Sequence, residues 1–183
     1  NKSVMDKYFC IILWNTYLLN KEFNCISTPG IIIPPKNLPS FDKISKVDGV
    51  THTFNAMSSV SHRGTSTALS ALINDDVYTE IIADGVHVSD DALRLLFKSK
   101  PNDKVILISD ALPITHSDMK EIFFADSKIY YDGVKATSAE GTIAGSTMLL
   151  DEITERLEKL GLFKPELIEN AWKYHGLNPK DFI

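Results

Sequence analysis

At 183 residues, with 44% apolar and 23% charged side chains and 9 Gly against 8 Pro, the chain has ordinary globular composition, which excludes a disordered tail, a collagen and a coiled coil. It is long enough for one sizeable core. Nineteen basic against 24 acidic residues leave a formal net charge of -5 and no global basic field, so neither nucleic acid nor a membrane is an expected partner.

The longest apolar run, residues 8–14, falls well short of the roughly 18 residues a membrane span needs, and no signal-peptide cleavage site follows it. Cys10 and Cys25 form neither a metal-type spacing nor a disulfide framework, which suits a reducing cytoplasm. Residues 1–46 read as an irregular apolar segment with a connector around Thr28-Pro29-Gly30, Pro34-Pro35 and Pro39, and they receive no function. From residue 47 to 183 the pattern is regular. A strand ending at Thr51-His52 is followed by a small-residue helix over 65–73, a strand over 77–83, a helix over 89–98 and a strand over 105–109. Ser89 can cap the second helix, and Ala92, Leu93, Leu96 and Phe97 fall on one face of it.

Short hairpin strands are expected over 121–124, 128–131 and 134–137, then helices over 148–160 and 165–174, with Pro165 in a first turn that spares its missing N–H. Alternating strands and helices predict an α/β fold with parallel β/α units.

Side chains capable of chemistry stand at three successive strand ends: Thr51-His52, Asp84-Gly85-Val86-His87 and Ser109-Asp110. In a (β/α)8 barrel these ends converge on one mouth, so residues far apart in sequence can surround one ligand. A single His after a strand is usually structural, but three such ends in a row form an active-site layout. An Asp at a buried strand end costs several kcal/mol unless paired, so Asp110 needs a reason to be there, and a metal-activated water supplies one.

The stretches Thr51-His52-Thr53-Phe54-Asn55-Ala56-Met57-Ser58, His62-Arg63-Gly64, Ile82-Ala83-Asp84-Gly85-Val86-His87-Val88, Ser109-Asp110-Ala111 and Gly141-Thr142-Ile143-Ala144-Gly145-Ser146 occur in the order and spacing of N-acetylglucosamine-6-phosphate deacetylases. Over residues 47–183 the chain resembles that branch of the amidohydrolase superfamily. The resemblance implies a metal-dependent, cytoplasmic hydrolase, usually a homodimer. It would cleave the N-acetyl amide of N-acetylglucosamine 6-phosphate to glucosamine 6-phosphate and acetate. The implied fold is the C-terminal portion of a (β/α)8 TIM barrel, strands 6 to 8, with a β-hairpin excursion and C-terminal helices.

By the same resemblance His52 is the metal ligand, with Zn2+ the expected ion. Asn55 and Ala56 hold the phosphate and sugar, and Arg63 supplies a charged fork to phosphate, reaching into the neighbouring subunit's site. His87 contacts the sugar or its phosphate. Asp110 is the catalytic acid/base. Ile143, Ala144, Gly145 and Ser146 form a turn closing over the sugar; read without the family, Ser146 could equally be a helix N-cap.

The family's upstream His-x-His pair and its later metal-binding glutamate and histidine are not recognisable here. The chain therefore reads as the C-terminal half of a deacetylase, the alternative being a non-catalytic sugar-phosphate-binding fragment or degenerate paralogue. His62, His116 and His175 match no family position and are expected to face solvent. Hairpin packing is the expected role of Phe123, Phe124, Tyr130 and Tyr131, and a solvated helix face that of Glu152, Glu155 and Glu158.

Overall fold

The computed structural model describes residues 31–32 (backbone), 48–64 and 66–178. Most of the unassigned segment 1–46 lies outside the described residues. Two short strands, β1 (Ile31–Ile32) and β2 (Gly49–Val50), pair in parallel with each other, and β2 pairs in parallel with β3 (Tyr78–Ile82). A fourth strand, β4 (Val105–Ile108), completes the sheet in the order β1-β2-β3-β4, with Ile81 opposite Leu107. The sheet thus begins inside the stretch expected to be irregular connector, because the β-branched Ile31 and Ile32 suit an extended pairing that the following prolines do not forbid.

Helix α1 (Thr67–Ile73) links β2 to β3, and α2 (Asp90–Ser99) links β3 to β4. Each starts where a serine accepts a backbone N–H: Ser66 Oγ from Leu69 and Ser89 Oγ from Ala92. The face of α2 anticipated from its spacing is the one buried, since Leu93 and Leu96 join Ile81, Ala83, Val105 and Leu107 in the main core, with Ala92 and Phe97 packed against it. Ile153 and Leu157 of α3 (Leu150–Lys159) and Leu167 of α4 (Glu166–Tyr174) close that core from the C-terminal side. Buried Asn170 of α4 donates from Nδ2 to the carbonyls of Asn102 and Val105, pinning α4 to the start of β4.

Between β4 and α3 the chain forms an antiparallel sheet, β5 (Glu121–Phe124), β6 (Ser127–Tyr131), β7 (Ala136–Ser138) and β8 (Ile143–Gly145), paired in chain order. The β5–β6 loop is two residues, Ala125 and Asp126, both at positive φ as a primed hairpin turn requires. Val134 belongs to a turn and not to the expected strand over 134–137, because Asp132 Oδ1 collects the N–H groups of Val134 and Lys135. Ile143, Ala144 and Gly145, expected as a turn, are instead strand β8.

The hairpin aromatics divide by face: Phe124 and Tyr131 pack with Ile129, whereas Phe123 is 77% and Tyr130 40% exposed. No described helix is long and apolar enough to cross a membrane.

Candidate functional site

The carboxyl ends of β2, β3 and β4 deliver His52, the Asp84–His87 turn and Asp110. Two of these positions are conformationally unusual, with φ of 33° at His52 and 50° at Asp110, and Phe54 and Ala56 in the same loop also hold positive φ. Left-handed backbone is uncommon for side-chain-bearing residues, and its concentration at the ends of the two strands that flank β3 is typical of sites where geometry is imposed.

His52 is half-buried, and its Nδ1 lies 3.1 Å from the carbonyl oxygen of Asn55. A carbonyl only accepts, so Nδ1 carries the proton and Nε2 is left as an electron-pair donor. Asn55 closes the loop by donating its backbone N–H to His52 and, more weakly, its Nδ2 to Thr53, while Ala56 is exposed. Thr53 donates its N–H to the Glu80 carbonyl, and Thr51 Oγ1 donates to Glu80 Oε2 at 2.5 Å, so the loop is tied twice to β3. Burial pushes the Glu80 carboxyl up to about 7, against the lowering effect of the Thr51 hydroxyl.

Asp84 is the most heavily bonded group of the site. Its Oδ1 accepts the backbone N–H groups of Val86 (2.9 Å) and His87 (2.8 Å), and its Oδ2 accepts from His87 Nδ1 (2.8 Å) and Ser146 Oγ (2.9 Å). Burial raises its pKa, but the bonds from the His87 ring and the two backbone N–H groups outweigh this and hold the carboxylate at about 2. Asp110 moves the other way: burial raises its pKa, the nearby His52 and His87 oppose the rise, and Asp84 adds to it. A carboxylate with a raised pKa beside two imidazoles is suited to taking up and returning a proton.

The remaining expected site residues lie at different depths. Ser146 is 1% exposed, and its backbone bridges to Asp110 and Leu112 while its hydroxyl serves Asp84. It is not an N-cap, since α3 begins later, at Leu150, with Leu149 as the N-cap residue, whose N–H is accepted by Glu152. Gly145 has to be glycine for packing reasons, because a Cβ would come within 2.8 Å of Leu112 Cγ and 3.1 Å of the Asp110 carbonyl oxygen. Ile143 and Ala144 are exposed. Arg63 is exposed too, its Nε donating to His62 Nε2.

His62 and His116 face solvent as expected, whereas His175 is half-buried against Tyr174. Glu152 is more than a solvated side chain, since it also pairs with His116. Two members of the site had no role in the sequence reading: Asp84, signalled by an Asp-Gly-x-His turn after a strand, and Glu80, a lone charge inside an apolar strand. Among the described residues no group of three or more His, Cys, Asp or Glu side chains is arranged to hold a metal ion. His52 alone therefore does not fit a zinc site, which takes three or four protein ligands.

No protein-family model matches the chain. Over 103 residues, 56% of this chain and 26% of the relative, it is 35% identical to an N-acetylglucosamine-6-phosphate deacetylase of Bacillus subtilis. Over 100 residues, 55% of this chain and 25% of the relative, it is 30% identical to an N-acetylgalactosamine-6-phosphate deacetylase of a Shewanella species. It therefore spans about a quarter of the length of these two relatives. The crystal structure of the Thermotoga maritima N-acetylglucosamine-6-phosphate deacetylase superposes with a TM-score of 0.72, covering 89% of this chain and 46% of that one at 20% identity, a likeness of fold. Over a little more than half its length, the chain is thus similar in sequence to N-acetylglucosamine-6-phosphate and N-acetylgalactosamine-6-phosphate deacetylases.

Proposed function

We propose that the chain carries part of the machinery of an N-acetylglucosamine-6-phosphate deacetylase, a hydrolase of the sugar's acetamide C–N bond. In this reading β2, β3 and β4 are the last three strands of a (β/α)8 barrel within residues 47–183, and the working protein is a cytoplasmic homodimer. The observation that supports it best is the convergence of His52, His87 and Asp110 on one sheet edge, with both imidazoles close enough to modulate the Asp110 carboxyl. Asp110 takes a proton from the water that attacks the acetamide carbonyl and returns one to the departing sugar nitrogen, releasing acetate. Asn55, Ala56 and Arg63 bind the phosphate, His87 contacts the sugar, and Ile143, Ala144 and Gly145 cover it. Ser146 acts beneath them, through Asp84. His52 is the ligand-type side chain that this chain offers to a zinc ion, and the further ligands such an ion requires are not among the described residues.

The test is acetate release from N-acetylglucosamine 6-phosphate and from its galactosamine epimer, together with binding of glucosamine 6-phosphate, on one preparation. Asp110→Asn is expected to lower release on the order of 100-fold or more while binding persists, because the amide keeps the shape but cannot accept the water's proton. Undiminished release by the variant would remove Asp110 from the mechanism. Binding without any release by the parent chain would favour a sugar-phosphate-binding fragment over an enzyme.

A further inference from the structure

We propose that Glu80 is a positioning residue that grips the chain on both sides of His52 and thereby holds that histidine in its left-handed conformation at the end of β2. The inference deepens the deacetylase reading and rests on it only for the importance of His52.

Strand β2 ends at Val50, opposite Thr79, and Glu80 is the next residue of β3, which itself runs on to Ile82. Glu80 therefore stands where β2 leaves the ladder. Its side chain holds the residue before His52, since Oε2 accepts from Thr51 Oγ1 at 2.5 Å, and its backbone carbonyl holds the residue after, accepting the Thr53 N–H at 2.8 Å. His52, with a φ of 33°, lies between the two grips. A side-chain-bearing residue persists in that region only when its surroundings over-determine it. The Asn55 N–H on the His52 carbonyl and the Asn55 carbonyl facing His52 Nδ1 close the loop on itself, but neither anchors it to the neighbouring strand.

Two costs show that the arrangement is not a by-product of packing. Glu80 is 6% exposed and burial pushes its carboxyl up to about 7, so an apolar side chain would occupy the place at lower free energy. Thr53 is fully buried, and its Oγ1 has no hydrogen-bond partner among the described residues. A loop placed by its own hydrogen bonding would not leave that hydroxyl unpaired.

The side-chain grip can be removed without creating an orphan, because replacing both partners of a buried hydrogen bond by apolar groups of similar shape is close to neutral for stability. The experiment is NOE spectroscopy of the isotope-labelled, ligand-free 183-residue chain. It reads the intraresidue amide–Hα cross-peak, which is strong at positive φ because the two protons then lie close together. The parent is expected to show it at His52 and at Asp110, the left-handed residue after β4, whose carbonyl is held by the Ser146 N–H and not by Glu80. Glu80→Gln keeps an acceptor for Thr51, and Thr51→Ser keeps the donor, so both variants should retain both signals. Thr51→Val combined with Glu80→Leu should lose the strong His52 cross-peak and keep that of Asp110.

A parent without the His52 signal overturns the proposal whatever any variant does. Retention of that signal in the combined variant overturns it too, as does its loss in Glu80→Gln or Thr51→Ser. Loss at His52 and Asp110 together would mark a general loosening, and a combined variant that does not fold would make the pair a support of the fold; either result also overturns the proposal. The readout needs no sugar, so a chain that behaves as expected but neither binds nor deacetylates the sugar phosphate would count against the proposed function while supporting the Glu80 assignment.

Discussion

Gly85 holds a φ of 81° directly after Asp84, and a Cβ there would stand 2.8 Å from Arg156 Nη2. The guanidinium has little freedom to withdraw, because it donates to the Ala83 carbonyl and pairs with Asp90, tying α3 to the end of β3 and the start of α2. Left-handed backbone costs a side-chain-bearing residue roughly 1 to 2 kcal/mol, and the clash adds to it. Gly85→Ala is therefore expected to lower stability by about 1 to 3 kcal/mol, read as a fall in the urea midpoint at unchanged slope. An unchanged midpoint would show that Arg156 yields without loss. The same turn carries Asp84 and His87, so the glycine serves the site as well as the fold.

At the scale of the elements, β3 carries a buried carboxyl between strands, and this makes stability depend on pH. Glu80 has its pKa raised from 4.5 to about 7 by burial, so the folded chain holds a proton there that the unfolded chain has already released. The sign follows from linkage: the contribution is complete below pH 4.5 and is lost as pH rises through about 7, at most about 3 kcal/mol in all. Asp110, also raised, acts in the same direction. Asp84 acts oppositely, its contribution being lost only as pH falls toward about 2. Glu80→Gln keeps an acceptor for Thr51 and removes the titration, so its stability should decline less between pH 4.5 and 7 than the parent's, measured by urea unfolding across that range. An equally steep decline would assign the effect to another group.

The parallel strands and α2 were legible because β-branched runs and a capped helical face are local signals. The strand β1 was not, since two isoleucines ahead of Pro34 and Pro35 look like a connector until β2 pairs with them. The strand β8 was read as a glycine turn because only its partner β7 makes it extended. The site residues at the strand ends were visible in sequence; the Ser146–Asp84 bond, across 62 positions, was not.

On the scale of the whole molecule, the two sheets meet at Ser146, whose backbone accepts from Leu112 and donates to Asp110 while its hydroxyl holds Asp84. His87 and Asp110 are thereby fixed by both sheets. Arg63 is placed differently, exposed and bonded only to its neighbours Ser61 and His62 among the described residues. A phosphate contact by such a side chain depends on what surrounds it in the assembled protein. In the proposed homodimer it reaches the partner's ligand, and its charge-assisted bond contributes roughly 1.5 to 3 kcal/mol, about 10- to 150-fold in affinity. Calorimetric titration with glucosamine 6-phosphate and with unphosphorylated glucosamine, at two protein concentrations, separates the terms. The parent is expected to prefer the phosphorylated sugar, and Arg63→Ala to reduce that preference by this factor at the higher concentration. On dilution below the dimer's dissociation constant the parent should approach the variant, whereas the contribution of Asn55, made within one chain, should persist. Equal affinity of the parent for both sugars would mean that phosphate is not read by this loop, and the roles proposed for Asn55, Ala56 and Arg63 would fall together.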